Sequence, residues 1–218
     1  SRLACPVMFC GTVGDDGYGE FVRNDLVKEG VDTKELYTIS NSYTPMVIAT
    51  IQPNGERQIV VWPPDRDADL KLQLSHINKK LIENSGWFHT SGMCLRASPI
   101  RETILESMRI AKIAGVPISL DLNLRLELWG WEDNIRSTTE SAIELADYIF
   151  GNATEEIIPI SKEQDVEKAI FAISKGKKIV VAREGHKGST AIDDKEVIRN
   201  STYPVTYTHL TLPTSEIV

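Results

Sequence analysis

Apolar residues along the chain fall into two rhythms. Short runs of strand length recur at Val7–Phe9, Trp87–His89, Pro117–Leu120, Tyr148–Phe150 and Lys178–Ala182. Between them lie stretches whose apolar positions return every three or four residues: Phe21–Glu29, Ile100–Ala114, Ile135–Ala146 and Val166–Ser174. The first spacing predicts buried strands and the second predicts helices with one apolar face. Strands that alternate with helices join by crossovers, so the pattern predicts an α/β fold with a doubly wound, mainly parallel sheet covered on both faces. Residues 43–62 break the rhythm. They read as two strands, Met46–Gln52 and Gln58–Val61, joined through Pro53-Asn54-Gly55-Glu56, where Asn-Gly supplies the positive φ angles of a tight turn. Antiparallel strands need no crossover and do not fit a parallel sheet, so this β-hairpin is expected to project as a separate flap.

Composition narrows the class. The chain has 218 residues, 41% of them hydrophobic, enough for one sizeable core. With 24 Lys and Arg against 31 Asp and Glu, the net charge is −7. An acidic surface argues against nucleic acid as a partner, although a few backbone N–H groups at a helix N-terminus still suffice for a nucleotide phosphate. No run of about 18 apolar residues is present, and the apolar stretch at Ser1–Phe9 is too short for a signal peptide, so no membrane association is expected. The three cysteines, Cys5, Cys10 and Cys94, form no Cys-x-x-Cys pair and read as reduced, chemically inert thiols of a cytoplasmic protein.

The last fifteen residues differ from the rest. Pro204–Thr214 contains no Asp, Glu, Lys or Arg, in a chain that is otherwise 25% charged. The break divides residues 1–203, read as one domain with the hairpin inserted at about 43–62, from a tail, 204–218, expected to be foreign to the gene, with a divergent surface tail as the alternative.

Four strings carry candidate chemistry. Gly11-Thr12-Val13-Gly14-Asp15-Asp16-Gly17-Tyr18-Gly19 reads as a glycine-rich strand-to-helix turn with Asp15 or Asp16 as helix cap; Gly30-Val31-Asp32-Thr33 follows the helix. No Gly-Lys-Ser/Thr follows, so it is not a Walker A loop. Asp121-Leu122-Asn123-Leu124-Arg125 lies just past a strand end, where ligands of open parallel sheets bind. Its alternation puts Asp121, Asn123 and Arg125 on one side, and the planar fork of Arg125 suits a carboxylate, a phosphate or paired sugar hydroxyls. Asp121 reads equally well as a salt-bridge partner that holds the loop. Asn152-Ala153-Thr154-Glu155-Glu156 reads as a helix cap with an acid three residues on. Arg183-Glu184-Gly185-His186-Lys187-Gly188 closes a buried strand with two glycines three apart; His186 and Lys187 read as solvated turn residues, and His89 as a packed strand-end residue.

Taken together, in this order, the strings resemble the ribokinase-like (PfkB-type) carbohydrate kinases. The first is similar to their Gly-x-Val-Gly-x-Asp-x-x-Gly segment. The second is similar to the Asp-x-Asn-x-Arg segment of fructokinases and 2-keto-3-deoxygluconate kinases, and the resemblance implies that Arg125 and Asn123 bind the sugar or sugar acid. The third resembles the family's Asn-x-x-Glu motif, which implies that Asn152 positions phosphates and Glu155 organises hydrated Mg²⁺. The fourth is similar to the family's Thr-x-Gly-x-x-Gly turn, with Arg183 in the Thr position, and implies that Arg183, Gly185 and Gly188 approach ATP. The resemblance further implies that the hairpin is a lid over the substrate and that two copies pair through it. The family's Gly-Ala-Gly-Asp segment, whose Asp is the catalytic base, would follow Pro204-Val205 and is not present there, so no catalytic residue is assigned and the chain as written is expected to be inactive. A nucleoside kinase of the same fold and a non-catalytic sugar-binding protein are the alternative readings.

Overall fold

The computed structural model describes residues 1, 3–51, 57–62, 67–125, 130, 133–192 and 196–202. The expected tail, 204–218, and the hairpin turn, 53–56, lie outside the described residues. The chain divides into two compact units, Ser1–Ile149 and Phe150–Val218.

The first unit opens with a β-α-β turn: β1 (Gly11–Gly14), α1 (Gly17–Lys28) and β2 (Leu36–Ile39), with β1 and β2 parallel. The first strand does not lie on the first apolar run. Val7–Phe9 does not form a strand; only Met8 makes an isolated bridge, to Asp32, and all three side chains are exposed. The strand lies instead on the glycine string itself, where Thr12 and Val13 are buried. Of the two candidate caps it is Asp16 that caps α1, accepting the Gly19 N–H at 2.8 Å.

The hairpin forms as expected. β3 (Met46–Ile51) and β4 (Arg57–Trp62) pair antiparallel from Met46↔Trp62 to Ile51↔Arg57, as a two-stranded sheet of their own. Its apolar residues Val47, Ile48, Ile51, Val60 and Trp62 are exposed.

After α2 (Lys79–Glu83) the unit continues with β5 (Phe88–Ser91), α3 (Ile100–Ile113), β6 (Ile118–Asp121) and α4 (Asp133–Leu145). β5 and β6 are parallel, in register from Phe88↔Ile118 to Ser91↔Asp121. α3 buries Ile100, Thr103, Ile104, Ser107, Met108 and Ala111, the three-and-four spacing of one helix face. Ile118, Leu120 and Met108 are fully buried. Asp147 ties the following strand to β6: its carboxylate accepts the Ile118 N–H at 3.0 Å and the Lys112 ammonium, while its own N–H donates to Ile118 O at 2.9 Å. Trp87 Nε1–H and His89 Nδ1 both meet Ser119 Oγ, at 2.8 and 2.7 Å, which gives His89 a packing role.

β7 (Tyr148–Asn152) carries the chain into the second unit. There follow a π-helical turn at Ala153–Ile157, α5 (Ile158–Ser161), α6 (Val166–Ser174) and an antiparallel meander of β8 (Ile179–Arg183), β9 (Ser189–Ile192) and β10 (Val197–Asn200). Asp165 caps α6, accepting the N–H groups of Glu167 and Lys168. Ala169, Ile170, Ile173, Val180, Ala182 and Ile192 form the core of this unit.

Candidate functional site

In the first unit the candidate segment starts where β6 ends. Leu122 and Leu124 are buried, Asn123 is half-buried and Arg125 is exposed, so the two leucines anchor the segment and alternate with its two polar side chains. Both polar residues take left-handed backbone, φ 33° at Asn123 and 49° at Arg125. Left-handed geometry is strained for a long side chain such as Arg and persists only where the surroundings impose it. Gly92, just past β5, is part of that imposition. A Cβ there would overlap the Leu122 carbonyl oxygen and stand 3.2 Å from Leu124 Cδ2, so only glycine lets the Leu122 backbone approach. The later residues of the same string, 126–129, lie outside the described residues.

In the second unit Asn152 ends β7 and opens the π-helical turn. Its Oδ1 accepts the N–H of Thr154 at 3.0 Å, the N–H of Glu155 at 3.1 Å and the Thr154 hydroxyl at 3.1 Å. The helix cap is therefore formed. The acid that returns to the cap is not Glu155: the Asn152 N–H donates to Glu156 Oε2 at 2.6 Å. Glu155 is exposed, whereas Glu156 is 6% exposed.

Arg183 closes β8, and one of its guanidinium nitrogens stands 3.9 Å from Glu156 Oε2. Asn152, Glu156 and Arg183 are thus brought together. Beyond Arg183 the turn is locked from several sides. Glu184 N–H donates to Gly188 O at 2.8 Å, the Thr190 hydroxyl donates to Glu184 Oε1 at 2.6 Å, and the Thr202 hydroxyl donates to His186 O at 2.8 Å. Gly185 has φ 60° and Gly188 φ 106°, and a Cβ on Gly188 would overlap the Asn200 carbonyl oxygen. His186 and Lys187 are exposed turn residues, as expected.

Among the described residues no group of three His, Cys, Asp or Glu side chains could cage a metal. The half-buried Cys94 thiol is pushed above its ordinary value, first by burial and then by the Asp69 carboxylate, so it stays protonated and inert at neutral pH.

Glu156 was missed by sequence reasoning, because spacing from Asn152 points to Glu155. The adjacent second glutamate was the available signal, and only the widened turn reveals its use.

Comparison with known proteins adds an independent line. The sequence model of the pfkB family carbohydrate kinases matches residues 1–208. A probable fructokinase-5 of Arabidopsis thaliana is 32% identical over 198 residues, 86% of this chain and 58% of the relative. A 5-dehydro-2-deoxygluconokinase of Clostridium perfringens is 32% identical over 211 residues, 94% of this chain and 62% of the relative. The chain thus spans less than two thirds of the length of these curated relatives. Among solved structures, the fructokinase of Vibrio cholerae O395 in its fructose-, ADP- and calcium-bound form has a TM-score of 0.80 and 26% identity, covering 94% of this chain and 66% of that one. The likeness to solved structures shows a ribokinase-like α/β fold with a mainly parallel central sheet, as the strand–helix alternation predicts.

Proposed function

The chain belongs to the pfkB family of carbohydrate kinases, and from that premise we propose that the whole protein transfers the γ-phosphoryl group of ATP, with Mg²⁺, to a hydroxyl of a sugar or sugar acid. The observation that carries the reading is the strained segment 122–125, which presents Asn123 and Arg125 beyond the end of β6 on two buried leucine anchors. Strained backbone clusters at sites that position a ligand, and here, unlike at the helix C-caps Lys162 and Lys175, it follows the end of a parallel strand. The relatives named fructokinase and 5-dehydro-2-deoxygluconokinase support a substrate of the same class, a sugar or sugar acid.

Phosphoryl transfer asks the protein mainly to position reactants and to stabilise charge. Arg125 offers paired donors to vicinal hydroxyls or to a carboxylate, and Asn123 adds a donor and an acceptor beside it. Asn152, fixed by its cap, takes the role of positioning phosphates, and Arg183, beside Glu156, contributes a cation for them. The exposed carboxylate of Glu155 would hold Mg²⁺ through its waters. When bound, that ion neutralises charge on the phosphate oxygens. No described residue is given the role of the base. The hairpin β3–β4 closes over the sugar as a lid and joins two copies into a dimer through its exposed apolar residues. The protein works in the cytoplasm, where ATP is abundant. No helix among the described residues is long and apolar enough to cross a membrane.

The test is ADP release by the whole protein over a panel of ketohexoses, aldohexoses and sugar acids, repeated with Arg125→Ala. The variant should raise KM for the sugar about tenfold or more while KM for ATP stays within about twofold, because a lost charged fork affects the ligand it meets. Equal effects on both substrates would remove Arg125 from the sugar site, and no sugar-dependent turnover would remove the kinase reading.

A further inference from the structure

We propose that Glu156 is a positioning residue: its buried carboxylate sets Asn152 in place and, by taking over the capping bond, releases Glu155 for the metal ion. The inference rests on the phosphate and Mg²⁺ roles given above to Asn152 and Glu155. In an ordinary capping box the acid three residues after the cap reaches back to the cap's own N–H. That residue is Glu155. The chain after Asn152 instead winds one π-helical turn, Ala153–Ile157, whose extra residue per turn shifts the returning position by one. Glu156 therefore receives the Asn152 N–H, at 2.6 Å, and Glu155 keeps only its backbone N–H on Asn152 Oδ1, with its side chain in solvent.

Burial makes this division of labour rigid. A carboxylate that is 6% exposed must be hydrogen-bonded and balanced by charge, or its desolvation is uncompensated. The Asn152 N–H supplies the bond, and Arg183, 3.9 Å away, supplies the balancing charge. Asn152 is thus held from both sides, its side chain by the amides of Thr154 and Glu155 and its backbone by Glu156. A residue fixed in this way needs no reordering when phosphate arrives, which favours binding.

Three variants of the full chain test the inference: Glu156→Ala, Glu156→Gln and Glu155→Gln. ATP affinity is measured by calorimetry with and without Mg²⁺, and Asn152 amide exchange by NMR. Glu156→Ala should speed exchange of the Asn152 amide at least tenfold and weaken ATP binding about tenfold, with Mg²⁺ or without it. Glu156→Gln keeps an acceptor in the same place and should restore both to within about threefold of the unaltered chain. Glu155→Gln should leave Asn152 exchange unchanged and abolish only the gain in ATP affinity that Mg²⁺ confers. Unchanged Asn152 exchange or unchanged ATP affinity in Glu156→Ala would overturn the proposal, as would Glu156→Gln failing as fully as Glu156→Ala. If Glu156→Ala does not fold, the unaltered chain decides by itself: a protected, downfield Asn152 amide supports the bond, and a fast-exchanging one refutes it. An intact Mg²⁺ gain in Glu155→Gln would instead strike the metal reading of Glu155 and leave Asn152 positioning standing. No ATP binding by the unaltered chain would sink both.

Discussion

Asp16 holds two segments with one carboxylate: Oδ1 accepts the Gly19 N–H at 2.8 Å and Oδ2 accepts the Thr44 N–H at 2.7 Å, joining the start of α1 to the chain entering β3. Burial pushes its pKa up, but the hydrogen bonds from Thr44, Gly19 and Tyr18 outweigh that and hold it below the usual 3.8. A carboxyl whose folded pKa lies below its unfolded one binds its proton more weakly when folded. Its stabilising contribution is therefore complete above the unfolded value and fades as pH falls through the folded one. The melting temperature of Asp16→Asn should lie below that of the unaltered chain at pH 7, and the gap should close as pH drops below 3.8; a gap independent of pH would refute the charge-based account. Gly92→Ala, which forces a Cβ onto the Leu122 carbonyl, should cost about 1–3 kcal/mol in denaturant unfolding and raise KM for the sugar more than KM for ATP. Caps such as Asp16 were legible in the sequence because capping is local chemistry. Gly92 was not, since its partner lies thirty positions away and nothing near Ser91-Gly92-Met93 announces it.

At the scale of elements, periodicity succeeded where one face is buried. Val166–Ser174 matches its prediction end to end, and Ile100–Ile113 is one residue shorter than expected, because both helices bury a continuous stripe. β2, β9 and β10 went unpredicted. The last two are four residues each, with two adjacent apolar residues beside Ser and Thr or Arg and Asn, too short and without alternation to announce a strand, and their pairing comes from the meander geometry. Val7–Phe9 failed in the opposite direction: a strand needs a partner as well as apolar residues, and only Met8 has a bridge. The hairpin was readable from Asn-Gly, but its mooring was not. Tyr43 and Asp67 bridge at its base, Ala68 N–H donates to Tyr43 O at 2.9 Å, and Arg96, just past β5, reaches Asp69 at 2.7 Å and Asp67 at 3.7 Å. The Arg96 and Asp67 side chains are only 8% and 7% exposed, so removing the cation strands buried carboxylate charge. Arg96→Ala should cost about 3–5 kcal/mol in denaturant unfolding. Arg96→Lys should recover only part of it, since one ammonium cannot reproduce a guanidinium fork. A loss below about 1 kcal/mol, the size of an exposed pair, would show that water reaches the cluster.

For the molecule as a whole, the order of four weak strings carried more than any one of them, and the family match over residues 1–208 agrees with that order. What order could not supply was surface context. Val47, Ile48, Ile51, Val60 and Trp62 are between 49% and 72% exposed, all on one two-stranded hairpin. Val47 and Ile48 are neighbours on a strand, so they face opposite sides and both faces of the hairpin are apolar. The lid proposed above would use one face. A second apolar face left in water favours association, because contiguous exposed patches of this kind mark interaction surfaces, and an unpaired two-stranded ribbon is marginal by itself. The face of Ile48 is built from Met46, Ile48, Thr50, Gln58, Val60 and Trp62, none of them charged, so contact through it needs no ion pairs. The chain should therefore sediment as a dimer at micromolar concentration, with little sensitivity to added salt. Ile48→Glu should convert it to a monomer of unchanged far-ultraviolet circular dichroism, while Val47→Glu, on the opposite face, should leave the dimer and impair sugar binding, or the reverse if the faces are exchanged. Dimerisation untouched by both substitutions, or a monomer before any substitution, would rule out the hairpin as the contact between copies.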